Sequence, residues 1–294
     1  MHLRAIGLGW LAALALFSGP AWAGEKPIVA TTFSILADLA QRIGGDHVQI
    51  LTLVGPNRDA HAFEPGPRQS AELAGATMLI VNGLGFEPWL GRLEDSSGFT
   101  GRLVTASDGV ATLAWNSQPG IADPHAFQDV ANAQIYAANI AKALADADPA
   151  HAADFKANAD ALIAAMGDLD KELRAEFAAI PQERRHVLTS HDAFRYFGRA
   201  YGIQFVAVQG ISTEAEPTAQ DLAKIVRQAR AGHLSAVFLE NMADPRLAET
   251  VARESGVRLG GELYADALSE PDGPAPDYLS LVRFNARQLL AAMQ

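Results

Sequence analysis

Residues 148–181 read DPAHAADFKANADALIAAMGDLDKELRAEFAAIP, and the rest of the chain can be placed around them. Phe155, Ala159, Leu162, Ile163, Met166, Leu169, Leu173 and Phe177 recur at steps of three and four, the period of a helix with one buried stripe. The positions between them are mostly Asp, Glu, Lys, Arg and Ala, which make a solvated face. Asp148 offers an N-cap oxygen, and Pro149 suits the first helical position because its missing N–H would have no intrahelical partner. Pro181 marks the far end. About 30 residues at 1.5 Å each make a rod of roughly 45 Å, long for a helix within one domain. A helical-hairpin arm or a coiled-coil segment is the alternative, but the stripe is too short for a sustained heptad repeat. The stretch predicts a spine joining two lobes.

On either side of it, short β-rich runs alternate with helical patterns. Strands are expected at 28–32, 48–54 and 78–81 with helices at 35–43 and 69–74. Beyond the spine, strands at 187–190, 205–208 and 236–239 alternate with helices at 193–201, 219–231 and 247–254. Such alternation implies mostly parallel sheets with helices on both faces. The halves also begin alike: Val29-Ala30-Thr31-Thr32-Phe33, with a helix ending at Gly44-Gly45, parallels Val187-Leu188-Thr189-Ser190-His191, with a helix ending at Gly202. The expected fold is therefore α/β, with two similar lobes at 24–147 and 182–294 joined by one long helix at 148–181.

Residues 1–23 have the pattern of an export signal. Arg4 supplies the positive start, 6–17 is an apolar run too short to span a bilayer comfortably, and Ala21-Trp22-Ala23 fits an A-x-A cleavage site. The chain has no cysteine, so it offers no disulfide framework, thiolate metal site or lipid-bearing cysteine. A soluble protein of the bacterial periplasm is expected. Without Arg4, 22 of the 23 basic residues face 34 acidic ones, a net charge of −12. That balance argues against nucleic acid and anionic membranes as partners, and it favours cations.

In parallel α/β sheets ligands bind beyond the carboxyl ends of the strands, here the turns at Thr32, Gly55, Ser190 and Leu263. His61 follows the second strand in a loop stiffened by Pro56, Pro65 and Pro67. His125 sits in Asp123-Pro124-His125, just before a helical pattern carrying Val130, Ile135 and Ile140. His191 follows the first strand of the second half, and Asp266 follows Leu263-Tyr264. Any one of these alone reads as an ordinary loop or cap residue. Together, two on each side of the spine, three imidazoles and one carboxylate complete a tetrahedral shell for a borderline cation. Glu214, Glu216 and Glu240 are candidates to steady a ligand by hydrogen bonding, Glu216 at a helix start before Pro217 and Glu240 at a strand end. His2, His47, His151, His186 and His233 read as structural or solvated.

Three groups of residues in the first half carry a resemblance: Gly55-Pro56 with Asp59-Ala60-His61 and Glu64-Pro65; Asn82-Gly83 with Phe86-Glu87-Pro88-Trp89; and Asp123-Pro124-His125. In the second half the carriers are 190–197 with Tyr201-Gly202, Gly210-Ile211-Ser212 with Glu216-Pro217, and 264–268. In this combination, from about Ile28 onward, the chain resembles the periplasmic metal-binding receptors of zinc and manganese ABC importers, whose two lobes are joined by one long helix. The resemblance implies metal ligation by His61, His125, His191 and Asp266. It also implies a monomer that delivers its ion to a membrane permease driven by an ATPase. Manganese receptors of this kind place a glutamate where His191 stands, so the histidine implies Zn²⁺ as cargo, with Mn²⁺ as the alternative. Many zinc receptors carry a long His-rich acidic loop before the second ligand. Here 113–122 is short and lacks histidine, a departure that argues against accessory-site capture but not against the central site. A zinc hydrolase with Asp266 as general base is one rival reading, although a four-ligand shell leaves no open position for a substrate water. A surface adhesin, or a receptor for a chelated metal, is another.

Overall fold

The computed structural model describes residues 26–115, 120–210, 213, 218–231 and 234–294. The expected signal at 1–23 and the residues Ile211, Ser212, Glu214, Glu216, Pro217 and His233 lie outside the described residues.

The first lobe runs β1 (Ile28–Phe33), α1 (Ser34–Gly44), β2 (Gln49–Val54), α2 (Pro67–Ala74), β3 (Met78–Val81), α3 (Leu90–Ser97) and β4 (Arg102–Thr105). Its strands pair in parallel in the order β2-β1-β3-β4. Met78, Leu79, Ile80 and Val81 are all buried, as a parallel strand covered on both faces requires. Neither α3 nor β4 is among the sequence expectations. Leu93 is the one buried residue of α3, so its amphipathic signal is slight. At the sheet edge, Arg102 and Leu103 in β4 are exposed.

After α4 (Val130–Ala147), the spine α5 spans Ala152–Ala178, 27 residues, or about 40 Å. This is shorter at both ends than the expected 148–181. Asp148 does cap a turn, but a 3₁₀ one over Pro149–His151, in which its carboxylate accepts the Ala150 N–H at 3.2 Å. At the far end the Ile180 N–H turns back to the Phe177 carbonyl at 3.1 Å before Pro181, which has no N–H to continue the helix. The predicted stripe is buried except for Ile163, which is half-buried.

The second lobe repeats the first: β5 (His186–Thr189), α6 (Arg195–Tyr201), β6 (Gln204–Ala207), α7 (Ala219–Ala231), β7 (Ala236–Glu240), α8 (Pro245–Ser255) and β8 (Leu259–Leu263). Its order β6-β5-β7-β8, again all parallel, puts β5 where β1 stands in the first sheet. The likeness of the two opening segments is thus a likeness of place. A final helix, α9 (Tyr278–Met293), is absent from the sequence expectations, although Asp277 caps it through the Ser280 N–H and Leu281, Val282, Asn285, Ala286 and Leu289 recur along one buried face.

The helix α9 crosses back to the first lobe. It packs on α1 and α5, the Tyr278 N–H donates to Asp38 Oδ2 at 3.0 Å, and the Tyr278 hydroxyl donates to the Phe127 carbonyl at 2.7 Å. Largely for this reason one apolar core runs through α1, α4, α5 and α9 into β5 and β8, while a second, smaller cluster lies between the second sheet and helices α7 and α8. The carboxyl ends of the two sheets face one another. Leu268 N–H donates to Ser34 Oγ at 2.9 Å, Asn57 N–H to the Leu268 carbonyl at 2.9 Å, and Gln128 Nε2 to the Ala265 carbonyl at 2.5 Å.

Candidate metal centre

Four segments leave the strand ends and meet in this interface. His61 is carried by the loop after β2. Its backbone N–H and that of Ala62 donate to Asp59 Oδ1 at 2.8 and 3.2 Å, while Trp89 Nε1 donates to the Ala60 carbonyl at 2.7 Å. The Thr213 hydroxyl of the second lobe donates to the other oxygen of Asp59. His125 is held in the segment between β4 and α4. His191 lies two residues past β5, and Asp266 three past β8.

The structure brings together all four residues singled out from the sequence. One donor atom from each lies within 4.8 Å of the others. His61 Nε2 is 3.1 Å from His125 Nε2 and 3.4 Å from Asp266 Oδ2. His191 Nε2 is 3.0 Å from Asp266 Oδ2, and His125 Nε2 is 3.7 Å from Asp266 Oδ1. His125, His191 and Asp266 are wholly buried and His61 is nearly so.

What turns these side chains into donors is the second carboxylate behind two of them. His125 Nδ1 lies 2.9 Å from Asp123 Oδ1, which also accepts the His125 backbone N–H at 3.0 Å. His191 Nδ1 bonds Glu240 Oε2, whose partner oxygen accepts the His191 backbone N–H at 3.0 Å. An ionised carboxylate can only accept, so each pair keeps a ring proton on Nδ1 and turns Nε2, the nitrogen free to bind a cation once its own proton leaves, toward the centre. Two imidazole nitrogens 3.1 Å apart need a shared proton or a cation between them. Asp266 Oδ1 is buried with no hydrogen-bond partner, a second sign that the cluster is built around positive charge.

Electrostatics agree. Burial works to lower the pKa of His191, but the Glu240 and Asp266 carboxylates outweigh it and hold the pKa well above the ordinary imidazole value. Burial would raise Asp266, yet His125 and His191 keep it well below the usual carboxylate range. Phe86 sits edge-on to His61 with ring centres 4.5 Å apart, and Phe33 and Phe127 pack behind it. This apolar wall excludes water and strengthens every charge interaction in front of it.

From the sequence alone Glu240 is only one of three possible supports for a ligand. Asp123 has no role in the sequence expectations, and its one signal there is its place two residues before a ligand. Glu87, also unassigned, is buried behind the first lobe's half of the site. It accepts the Thr32 hydroxyl at 2.7 Å and the Asn82 and Gly83 N–H groups at 2.6 and 3.2 Å. The turn that allows this needs a glycine, since Gly83 has φ +80° and a Cβ there would lie 2.5 Å from Thr105 Cγ2. Among the remaining histidines, His47 and His151 stack at 3.9 Å against the start of the spine, beside Asp154 and Asp148, and His186 opens β5.

The family described as "Zinc-uptake complex component A periplasmic" matches residues 29–292. Over 268 residues, 90% of this chain and 86% of the relative, the chain is 35% identical to the iron-binding protein YfeA of Yersinia pestis. It is 31% identical over 270 residues, 92% of this chain and 89% of the other, to the manganese-binding lipoprotein MntA of Halalkalibacterium halodurans. The solved periplasmic zinc-binding protein TroA of Treponema pallidum superposes with a TM-score of 0.87 at 27% identity, covering 92% of this chain and 99% of that one. The chain belongs to the zinc-uptake component A family. It is a divalent-metal receptor of ABC import and not an enzyme, so the hydrolase alternative falls.

Proposed function

We propose, with that membership as premise, that the chain captures Zn²⁺ in the periplasm and delivers it to the permease and ATPase of an ABC importer, with His61, His125, His191 and Asp266 as the ligands. The observation that carries this reading is the convergence of three imidazole nitrogens and one carboxylate in a buried interface, two from each lobe. A nitrogen-rich shell of four donors matches the tetrahedral preference of zinc, whereas manganese favours more oxygen. Manganese and iron are the rival cargoes, because relatives are named for binding them. The proposed organisation is a signal at 1–23, lobes at 24–147 and 182–294 and a linking segment at 148–181 that contains α5. The mature protein is then a soluble monomer. No helix among the described residues is long and apolar enough to cross a membrane. Elemental analysis of protein taken from the periplasm, followed by zinc–manganese competition titration, tests the proposal. One equivalent of zinc and a large zinc preference are expected. Protein loaded with manganese or iron and without that preference would overturn it.

A further inference from the structure

The segment Asp123-Pro124-His125 is gripped from both lobes through consecutive carbonyls. On the first-lobe side, Asn82 Nδ2 donates to the Pro124 carbonyl at 2.9 Å, while Asn82 Oδ1 accepts the Tyr136 hydroxyl at 2.7 Å. On the other side, the Tyr196 hydroxyl of α6 donates to the Asp123 carbonyl at 2.9 Å and accepts the Leu113 N–H at 2.9 Å. Tyr196 is fully buried, so neither bond is shared with bulk water. Arg195, next to it, donates to the Ala114 carbonyl at 3.0 Å and brings Nη1 to 3.6 Å from Asp123 Oδ2, an oxygen with no hydrogen-bond partner.

The residue being gripped is the one that orients a metal donor. Asp123 Oδ1 bonds both the backbone and the ring Nδ1 of His125. The gripping tyrosine lies five positions after His191, and α6 begins four positions after it. One short segment of the second lobe therefore carries its own donor and also the support of a first-lobe donor.

We infer that Tyr196 is a positioning residue for His125, through which the second lobe sets the geometry of a ligand in the first. This rests on the ligand assignment above and adds a consequence for release. Moving α6 away takes His191 from the ion and, in the same displacement, frees the backbone that holds Asp123 against His125. Two of the four donors then loosen together.

A double-mutant cycle on the full-length protein tests this with zinc as the probe. Tyr196→Phe keeps the ring in its pocket and removes only the hydroxyl. It should lower zinc affinity by about 10–100-fold, chiefly through faster dissociation. In a His125→Ala background the same change should cost no more than about twofold, whereas in a His61→Ala background it should keep its full effect. In the zinc-loaded protein, the Nδ1–H resonance of His125 should shift on Tyr196→Phe and that of His61 should not. An equal cost in all three backgrounds, with no shift of His125, would show that Tyr196 merely stabilises the fold. If neither His125→Ala nor His61→Ala weakens zinc binding, the ligand assignment itself is wrong and this inference goes with it.

Discussion

Glu240 and Glu87 are buried carboxylates near the carboxyl ends of the two sheets, one in each lobe, and do different things. Glu240 is the last residue of β7 and Glu87 lies six residues past the end of β3, and each of these strands lies beside the first of its lobe, β5 or β1. Glu240 grips the backbone and ring of His191. Glu87 fastens the end of β1 through Thr32 and closes its own turn through Asn82 and Gly83. The difference comes from the residue at the end of the first strand. Where the second lobe has His191, the parallel position of the first lobe has Phe33, an apolar ring packed against Phe86 and Phe127. A buried carboxylate beside an imidazole has a counter-charge to support. One beside a hydroxyl and two amides does not, and burial pushes Glu87 up to about 7. The second lobe thus takes a ligand from its first strand end, and the first lobe draws both of its ligands from longer segments further along.

The largest effect should come from removing the residue that makes the lobes differ. His191→Ala is expected to weaken zinc binding by roughly 100-fold or more, at or beyond the upper end for loss of an outer partner. His191→Glu should weaken zinc while narrowing its advantage over manganese, since it replaces nitrogen by a harder donor. Competition titration of both variants separates the two outcomes. Unchanged zinc affinity in both would mean that the second lobe's strand end is no more a ligand than Phe33 is.

The surroundings of the two carboxylates also predict pH-dependent stability in the metal-free protein, of the same sign but in different windows. Glu87 holds its proton to about 7 when folded, against 4.5 for an ordinary glutamate side chain. Unfolding then releases a proton between those values, so its contribution to stability falls as pH rises from about 4.5 to about 7 and is constant above. The difference is on the order of 3 kcal/mol. Denaturant titrations across this range should show the slope, and Glu87→Gln should flatten it. His191, with its raised pKa, contributes stability that is fully present below about 6.5 and is lost as pH rises through its folded value. Glu240→Gln should remove much of that contribution.

On metal affinity the ranking of the two carboxylates reverses. Glu240→Gln should cost about 10–100-fold by loosening the His191 ring, and Glu87→Gln only a few-fold. Isothermal titration with zinc decides this, and equal losses would erase the distinction between them. The smallest effect expected is overall movement. A continuous α5 and a C-terminal helix packed on the first lobe leave little hinge between lobes, so small-angle scattering should detect almost no compaction on zinc addition. A large compaction would mean that the lobes separate freely and that the shared core is not rigid.

The sequence by itself determined the two-lobed parallel architecture, the spine and the four converging side chains. Helix and strand periods are local, and parallel α/β sheets present their functional loops at one end, so residue type and distance past a strand located His61, His125, His191 and Asp266. Tertiary structure decided what holds them. Glu240 lies 49 residues from His191 and Tyr196 lies 73 from Asp123, separations over which no chain period carries information. The same holds for Glu87: its partner Thr32 is 55 residues away, and the hydroxyl and amides that surround it, with no cation among the described residues, are what the fold delivers to that spot. Donor chemistry is written in residue types, but the protons and orientations that make a donor available depend on buried neighbours that only folding brings into contact.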